Sequence, residues 1–395
     1  MIASMFAFTA SRLYTPLDCV ERPLLLVEGD TIAEISSRTA RAVPAAAKLT
    51  DFGDAILVPG FLDIHIHGGA GHDVMNDDPA GLAAMERLLR SHGVTGYFPT
   101  TVTAPLDQTC SALERLARAI EHAEQDRVHS GARPLGIHLE GPFISHLRRG
   151  VHPSGDLLRP TVEIFDRFWQ AAGGHIRMMT IAPELDGAIE VIAEAARRGV
   201  CVSLGHSNAD LDAARAGIAA GARHCTHGFN AMRPLDHREP GIIGAMLTDP
   251  RLSADLIADG IHLDPCIVKL FLTAKGPDLS VLITDATSAT GMPDGRYRLG
   301  SFEVEVKDGR CMADGKLAGS VLTMDRAMRN VVQFAGWDLQ QAVRLASLNP
   351  ARAAGLDGRG KLAAGCKADI VVLTPAGEVK ATIVAGAAAG SATAN

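Results

Sequence analysis

Short apolar runs alternate with Ala/Leu/Arg-rich, helix-patterned segments along most of this chain, and that rhythm sets the elements it predicts. Eight runs read as strands: ILVPGFLDIHIHG, VTGYFPTTVT, PLGIHLEGPF, IRMMTIAPE, VCVSLGHSN, HCTHGFNAM, RLSADLIADGIH and LSVLITDAT. Between several of them lie helix patterns such as DPAGLAAMERLLRSHG and DGAIEVIAEAARRG, each closed by a Gly suited to a helix C-terminus. Strands joined by helices in this number predict an α/β fold, a (β/α)8 TIM-type barrel. Periodicity alone leaves a doubly wound open sheet as the alternative.

Both ends of the chain change texture. Residues 1–56 read as short strands, with LLLVEGDTIAEIS turning at Gly29-Asp30. After Asp285, GRYRLGSFEVEVKDGRCMADGKLAGS alternates like paired strands around Asp308-Gly309 and Asp314-Gly315, a β excursion near 292–320. Two helices are expected in SVLTMDRAMRNVVQFAGW and LQQAVRLASLNPARAAG, after which GKLAAGCKADIVVL returns to strands. The expected organisation is a barrel over 57–357, with 1–56 and 358–395 forming a small β-sandwich from both termini. The small-residue tail AGAAAGSATAN is expected to be flexible.

Composition narrows the class. A chain of 395 residues with 47% hydrophobic and 21% charged residues suits a large globular protein. A net charge of −7 without blocks of Lys or Arg argues against nucleic acid as partner. No apolar run is long enough to span a bilayer, and the opening MIASMFAFTA lacks the basic stretch of a signal peptide. Seven scattered cysteines read as the reduced thiols of a cytoplasmic protein.

Polar residues then single out one chemistry. In FLDIHIHGG, alternation puts Asp63, His65 and His67 on one strand face and Leu62, Ile64 and Ile66 on the other. Strand one ends with His65 and His67, strand three with Glu140, strand five with His206, strand six with His227 and strand eight with Asp285. Barrel strands end at one mouth, so these four imidazoles and two carboxylates would meet there as ligands for zinc or iron. That convergence favours the barrel. Asp285 follows a wholly apolar strand, where an unpartnered carboxylate costs several kcal/mol, so a cation or a proton-transfer role accounts for it better than a cap. His72, His92, His122, His129, His146, His175, His224 and His237 are read as structural, as is His138, which shares a strand face with Glu140.

PGFLDIHIHG, HLEGPFIS, TIAPE, GHSNA, HGFNAMRPL, REPG, TDATSATG and LAGSVLTMDRAMRN, in this order from about 57 to 375, resemble the N-acetylglucosamine-6-phosphate deacetylase family of the amidohydrolase superfamily. The resemblance implies Glu140, His206 and His227 as principal metal ligands. It implies His65 and His67 at a second metal position, hence one or two divalent ions, zinc ahead of iron. It implies Asp285 as the residue that activates the attacking water and then protonates the leaving amine, and His152, in RRGVHP, beside the acetyl carbonyl. Asn230, Ala231, Arg238 and His262 would hold the sugar phosphate, part of the clamp crossing a homodimer interface. Arg238 as a plain turn residue is the competing reading. Gly228 stands where the family has a larger apolar residue, and His146 where it commonly has Pro.

Rival activities are weighed against the same residues. Cyclic-amide hydrolases bridge two metals through a carboxylated Lys on the fourth strand, and IRMMTIAPE has no Lys. A deacetylase for N-acetylgalactosamine 6-phosphate stays open, since one hydroxyl separates the two sugars. An inactive scaffold is disfavoured because every expected ligand is present.

Overall fold

The structure, a computed structural model, describes residues 5–126 and 129–388. Eight parallel strands form its centre: β1 (Phe61–Ile66), β2 (Val94–Pro99), β3 (Ile137–Glu140), β4 (Ile176–Ile181), β5 (Cys201–Leu204), β6 (His224–Cys225), β7 (Ser253–Ile257) and β8 (Ser280–Ile283). β1 and β2 pair in one sheet and β3 to β8 run in order through another. Single parallel bridges close both seams, Thr100 with His138 and Ile66 with Ala286, so the sheet meets itself as the barrel expectation requires. Each expected run supplies a strand. All six residues of β1 and all four of β8 are buried, as strands covered on both faces must be.

Around the strands lie α1 (Pro79–Ser91), α2 (Leu106–Gln125), α3 (Val162–Ala171), α4 (Ala188–Arg197), α5 (Leu211–Ala220), α6 (Gly241–Thr248), α7 (Pro265–Leu279) and α8 (Met324–Ala335). Asp78 caps α1 by accepting the Gly81 N–H at 3.0 Å, and Pro79 opens the helix where its missing N–H costs nothing. On α4, Val191, Ile192 and Ala195 form the buried stripe, a 3.6-residue pattern facing the sheet. No described helix is long and apolar enough to cross a membrane.

Two details depart from the sequence reading. The first run divides: Ile56–Pro59 does not begin the barrel but pairs with Arg12–Tyr14 and Ile370–Leu373, and the barrel strand starts after Gly60. The last helix also divides, into α9 (Leu339–Ala346) and α10 (Leu348–Ala353). Pro350 causes this break, because it has no N–H for a continuous helix and is tolerated only in a first turn, which a restart at Leu348 provides.

Ile56–Pro59 is part of a six-stranded sheet drawn from both ends of the chain, whereas Met5–Thr9, Pro23–Glu28, Thr31–Ser37 and Lys48–Asp51 make a four-stranded one. Phe8, Leu13, Leu25, Leu57, Ile370 and Val372 are buried together in one apolar cluster drawing on both. Pro23–Glu28 and Thr31–Ser37 turn at Gly29-Asp30, as expected. Of the tail expected to be flexible, 385–395, the first four residues are described and Ala387–Ala388 pairs as a strand with Ile383 and Val384, while the rest lies outside the described residues.

The β excursion is an antiparallel meander of Gly295–Leu299, Phe302–Lys307, Arg310–Ala313 and Lys316–Leu317. Its turns at Asp308-Gly309 and Asp314-Gly315 hold both residues at positive φ, 50° and 75° in the first, the geometry of a two-residue hairpin. Leu299, Val304, Val306 and Cys311 pack with Val102 and Ala289 just beyond the ends of β2 and β8, so the meander covers part of the barrel mouth.

Candidate metal centre and active site

Barrel closure brings the strand-end residues of the sequence reading into one buried cluster. Glu140 stands at its middle. Its Oε1 lies 3.2 Å from both His206 Nε2 and His227 Nε2, and its Oε2 lies 3.5 Å from His65 Nε2 and 3.3 Å from His67 Nε2. Asp285 Oδ1 is 3.1 Å from His67 Nε2 and 3.5 Å from His65 Nε2. One carboxylate therefore faces two imidazole pairs, one through each oxygen.

The opposite ring nitrogens decide what those Nε2 atoms offer. His67 Nδ1 donates to Thr100 O at 3.0 Å, His206 Nδ1 to Arg148 O at 2.9 Å and His227 Nδ1 to Asn230 O at 3.2 Å. A neutral ring that donates from Nδ1 presents a lone pair at Nε2. With both rings neutral, His206 Nε2 and His227 Nε2 face each other lone pair to lone pair at 3.1 Å. Such crowding is repulsive unless a cation sits among the donors, and imidazoles with carboxylates are the donor set of a divalent transition ion. The residues fit a metal.

Electrostatics agrees. Burial disfavours charge on His227, yet its contacts with Glu140 push it up to about 9. His67 is likewise raised well above its ordinary value, Asp285 and Glu140 outweighing its burial. His206, where burial dominates, falls to about 4. Asp285 and Glu140 resist burial and stay well below the usual carboxylate range, held there chiefly by His65. A field that retains protons this strongly also draws a metal cation.

His152 behaves differently. Its Nδ1 accepts the Thr103 backbone N–H at 3.3 Å and contacts Thr103 Oγ1 at 2.8 Å, so its proton sits on Nε2. That Nε2–H points into the site, 3.6 Å from Glu140 Oε2. Distance alone groups His152 with Glu140 and His206 as a possible ligand set, but the tautomer makes it a donor.

Backbone strain accompanies the cluster. His206, His227 and Asp285 hold φ of 46°, 30° and 49°, a region that costs a non-glycine residue about 1–3 kcal/mol and persists where surrounding bonds impose it. Those bonds are present: Asp255 accepts the His227 N–H through Oδ1 and the Gly228 N–H through its carbonyl, while Asp285 N donates to His65 O at 2.9 Å.

A cavity of about 210 Å3 opens above the cluster, lined also by Asn230, Ala231 and His262. His262 is fixed by Asp259 Oδ2 at 2.7 Å. Arg238 does not line it; its side chain is exposed in the loop between Arg233 and Pro240. Gly228 is required by its neighbours, since a Cβ there would stand 2.7 Å from both Met246 Sδ and Phe271 Cε2. His146 is exposed. His138 is turned away from the cavity, bonded to Ile64 O at 3.1 Å and Thr180 Oγ1 at 2.8 Å.

Several contributors were not singled out in the sequence. Thr103 sets the His152 tautomer, Asp255 shapes the His227 turn, and Leu299 and Leu317 of the meander wall the cavity. Asp73, 1% exposed, accepts the Gly300 N–H at 2.7 Å and so ties that meander to the loop after His67.

Residues 56–389 match the model of the amidohydrolase family. A curated N-acetylglucosamine-6-phosphate deacetylase from Bos taurus is 41% identical over 85% of this chain and 84% of its own length. An N-acetylgalactosamine-6-phosphate deacetylase from Escherichia coli O157:H7 is 38% identical over 92% of this chain and 94% of its own. A solved N-acetyl-D-glucosamine-6-phosphate deacetylase mutant from Mycobacterium smegmatis, in complex with N-acetyl-D-glucosamine-6-phosphate, superposes with a TM-score of 0.91 at 38% identity, covering 98% of this chain and all of that one. The barrel, its strand-end cluster and the matched sequence agree, and the chain belongs to the amidohydrolase family.

Proposed function

We propose that the chain hydrolyses the acetamide of N-acetylglucosamine 6-phosphate to glucosamine 6-phosphate and acetate. The observation that carries this reading is the convergence of His65, His67, Glu140, His206, His227 and Asp285 below one cavity that His152 also faces. Deacetylase relatives of both chain-long coverage and matching fold support the substrate class.

The residues divide the work. Glu140, His206 and His227 would hold one divalent ion, and His65 and His67 with the second Glu140 oxygen a further one, zinc suiting this set ahead of iron. A bound divalent ion supplies a water of pKa near 7 instead of 15.7 and polarises a carbonyl. Asp285, kept ionised by its histidine neighbours, takes the water proton as the oxygen adds to the acetyl carbon. The His152 Nε2–H donates to the carbonyl oxygen as charge grows there. Asp285 then returns the proton to nitrogen as the C–N bond breaks, leaving acetate and a free amine.

At the far side of the cavity Asn230, the Ala231 backbone and His262 would engage the sugar phosphate. Arg238, exposed and outside the cavity of its own chain, suits a phosphate contact made across a homodimer. The terminal sheets are read as one small β-sandwich domain, and the protein as cytoplasmic. The galactosamine epimer is the second reading, favoured by the Escherichia coli O157:H7 relative.

Incubation of the purified protein with N-acetylglucosamine 6-phosphate, its galactosamine epimer and unphosphorylated N-acetylglucosamine, followed by acetate release and elemental analysis, tests all of this. Release fastest from the first is expected. Faster release from the epimer would reassign the substrate, and release from none would end the hydrolase reading.

A further inference from the structure

Of the three polar side chains that alternate along FLDIHIH, Asp63 alone has no task in the chemistry above. It is 0% exposed and does not line the cavity. A carboxylate taken wholly out of water costs several kcal/mol unless its oxygens are bonded, and these two are bonded across the seam between β1 and β8. Oδ2 accepts the Thr284 hydroxyl at 2.6 Å and Oδ1 the Thr284 N–H at 3.3 Å, while the His65 N–H reaches Oδ1 only at 3.5 Å. Both oxygens thus serve one residue, the neighbour of Asp285 at the exit of β8.

The Thr284 hydroxyl has a second bond. With its proton given to Asp63, Oγ1 keeps its lone pairs, and one accepts the Ala286 N–H at 3.2 Å. A hydroxyl that captures the N–H two residues on closes a turn, and the residue inside this turn is Asp285, at φ 49°. The other backbone groups of the turn are held as well. Ser320 Oγ donates to Thr284 O at 2.5 Å and Ser320 N to Asp285 O at 2.7 Å, while Asp285 N donates to His65 O at 2.9 Å and His67 N to Ala286 O at 2.8 Å. Every N–H and C=O from Thr284 to Ala286 therefore has a partner, which is how a strained backbone persists. The Asp285 carboxylate ends 3.1 Å from His67 Nε2.

We propose that Asp63, acting through Thr284, is the positioning residue for the Asp285 carboxylate. Its oxygen fixes the direction of the Thr284 hydroxyl, the hydroxyl fixes the turn, and the turn aims Asp285 at the place where a proton is taken from water and returned to nitrogen. The assignment rests on the hydrolytic reading, in which Asp285 moves that proton. None of these bonds involves the side chains of Glu140, His206 or His227, so breaking them impairs proton transfer and leaves the ion those residues would hold. A plain clamp across the seam would change stability alone.

Thr284→Val keeps the shape and removes the hydroxyl, Thr284→Ser keeps the hydroxyl, and Asp63→Asn puts an N–H where the hydroxyl needs an acceptor. Steady-state kinetics of the metal-loaded proteins with N-acetylglucosamine 6-phosphate, beside elemental analysis and melting curves of the same preparations, test the assignment. Thr284→Val and Asp63→Asn should each lose about 10–100-fold in kcat, the scale for a group that orients another at such a site, with KM and metal content little changed. Thr284→Ser should recover most of the kcat that Thr284→Val loses. Because the two residues act in series, Asp63→Asn should cost little more once Thr284 is replaced by Val. A kcat near wild type in both variants with only the melting temperature lowered overturns the assignment. So do metal lost in proportion to kcat, no recovery in Thr284→Ser, or losses that multiply in the double variant. Should Thr284→Val not fold, Asp63→Asn set against Thr284→Ser carries the same decision. A wild type that releases no acetate ends the hydrolytic reading and this assignment with it, whereas an active wild type with unimpaired variants ends the assignment alone.

Discussion

Replacing His152 with Ala separates two roles that distance alone allows this residue. As a ligand beside Glu140 and His206, it would take a metal ion with it when removed. As a donor, it leaves the metal in place and weakens only the reaction. The structure favours the donor, because Thr103 gives its N–H to His152 Nδ1 at 3.3 Å and a ring that accepts there must carry its proton on Nε2. A preorganised donor to a developing oxyanion is worth about 10²–10³-fold in kcat. His152→Ala should therefore lose about 10²–10³ in kcat, with KM changed little and metal content unaltered. Thr103→Val removes the hydroxyl contact at 2.8 Å but keeps the backbone donor, so it should cost only about 0.5–1.5 kcal/mol, a several-fold drop. Steady-state kinetics and elemental analysis of the same preparations give both numbers. Metal lost in proportion to activity from His152→Ala would refute the donor assignment, as would a kcat within twofold of wild type.

Asp285→Asn should keep its metal and lose about 10²–10⁴-fold in turnover, because the amide cannot take and return a proton; activity near wild type would remove Asp285 from the mechanism. Asp73 accepts Met75 N–H on Oδ1 at 2.8 Å and Gly300 N–H on Oδ2 at 2.7 Å, and Asn has only one acceptor oxygen. Asp73→Asn should loosen the meander over the cavity and raise KM by roughly two- to twelvefold, the factor of about 0.5–1.5 kcal/mol, with kcat less affected. His129, bonded to Glu86 at 3.2 Å, has its pKa raised above the ordinary 6.5, first by that bond and against its burial. Because the folded value is the higher one, its contribution is present in full below pH 6.5 and is lost as pH rises through the folded pKa. His129→Gln should thus cost about 1.5 kcal/mol at pH 5.5 and little at pH 9, read as the gap between melting curves; a gap that widens toward alkaline pH would contradict the sign.

The metal-type residues were legible because each ends an apolar run, and a barrel turns that one-dimensional regularity into a shared location. Local rules sufficed there: period-two alternation put His65 and His67 on one face, and strand order did the rest. What stayed hidden depends on pairings that no local pattern carries. Ile56–Pro59 and β1 read as one run across Gly60, and pairings of Ile56–Pro59 with Arg12–Tyr14 and with Ile370–Leu373, some three hundred residues on, divide them. The turns of the β excursion could be read from Asp308-Gly309 and Asp314-Gly315, but not that Leu299 and Leu317 would wall the cavity, because docking is fixed by contacts with residues distant in sequence, Val102 and Asp73 among them.

The same limit explains why the supporting groups went unnoticed. Thr103, Asp255 and Asp73 are ordinary polar residues by type, and their importance lies in which atom each presents to a partner on another strand or loop. Thr103 is the sharpest case. The resemblance places the histidine of RRGVHP beside the acetyl carbonyl, but it does not say which ring nitrogen carries the proton. One backbone N–H, held in place by the exit of β2, selects the tautomer and with it the chemistry. Which side chains meet at the barrel mouth is thus readable from sequence, whereas the role open to each ring depends on its opposite nitrogen and requires the fold.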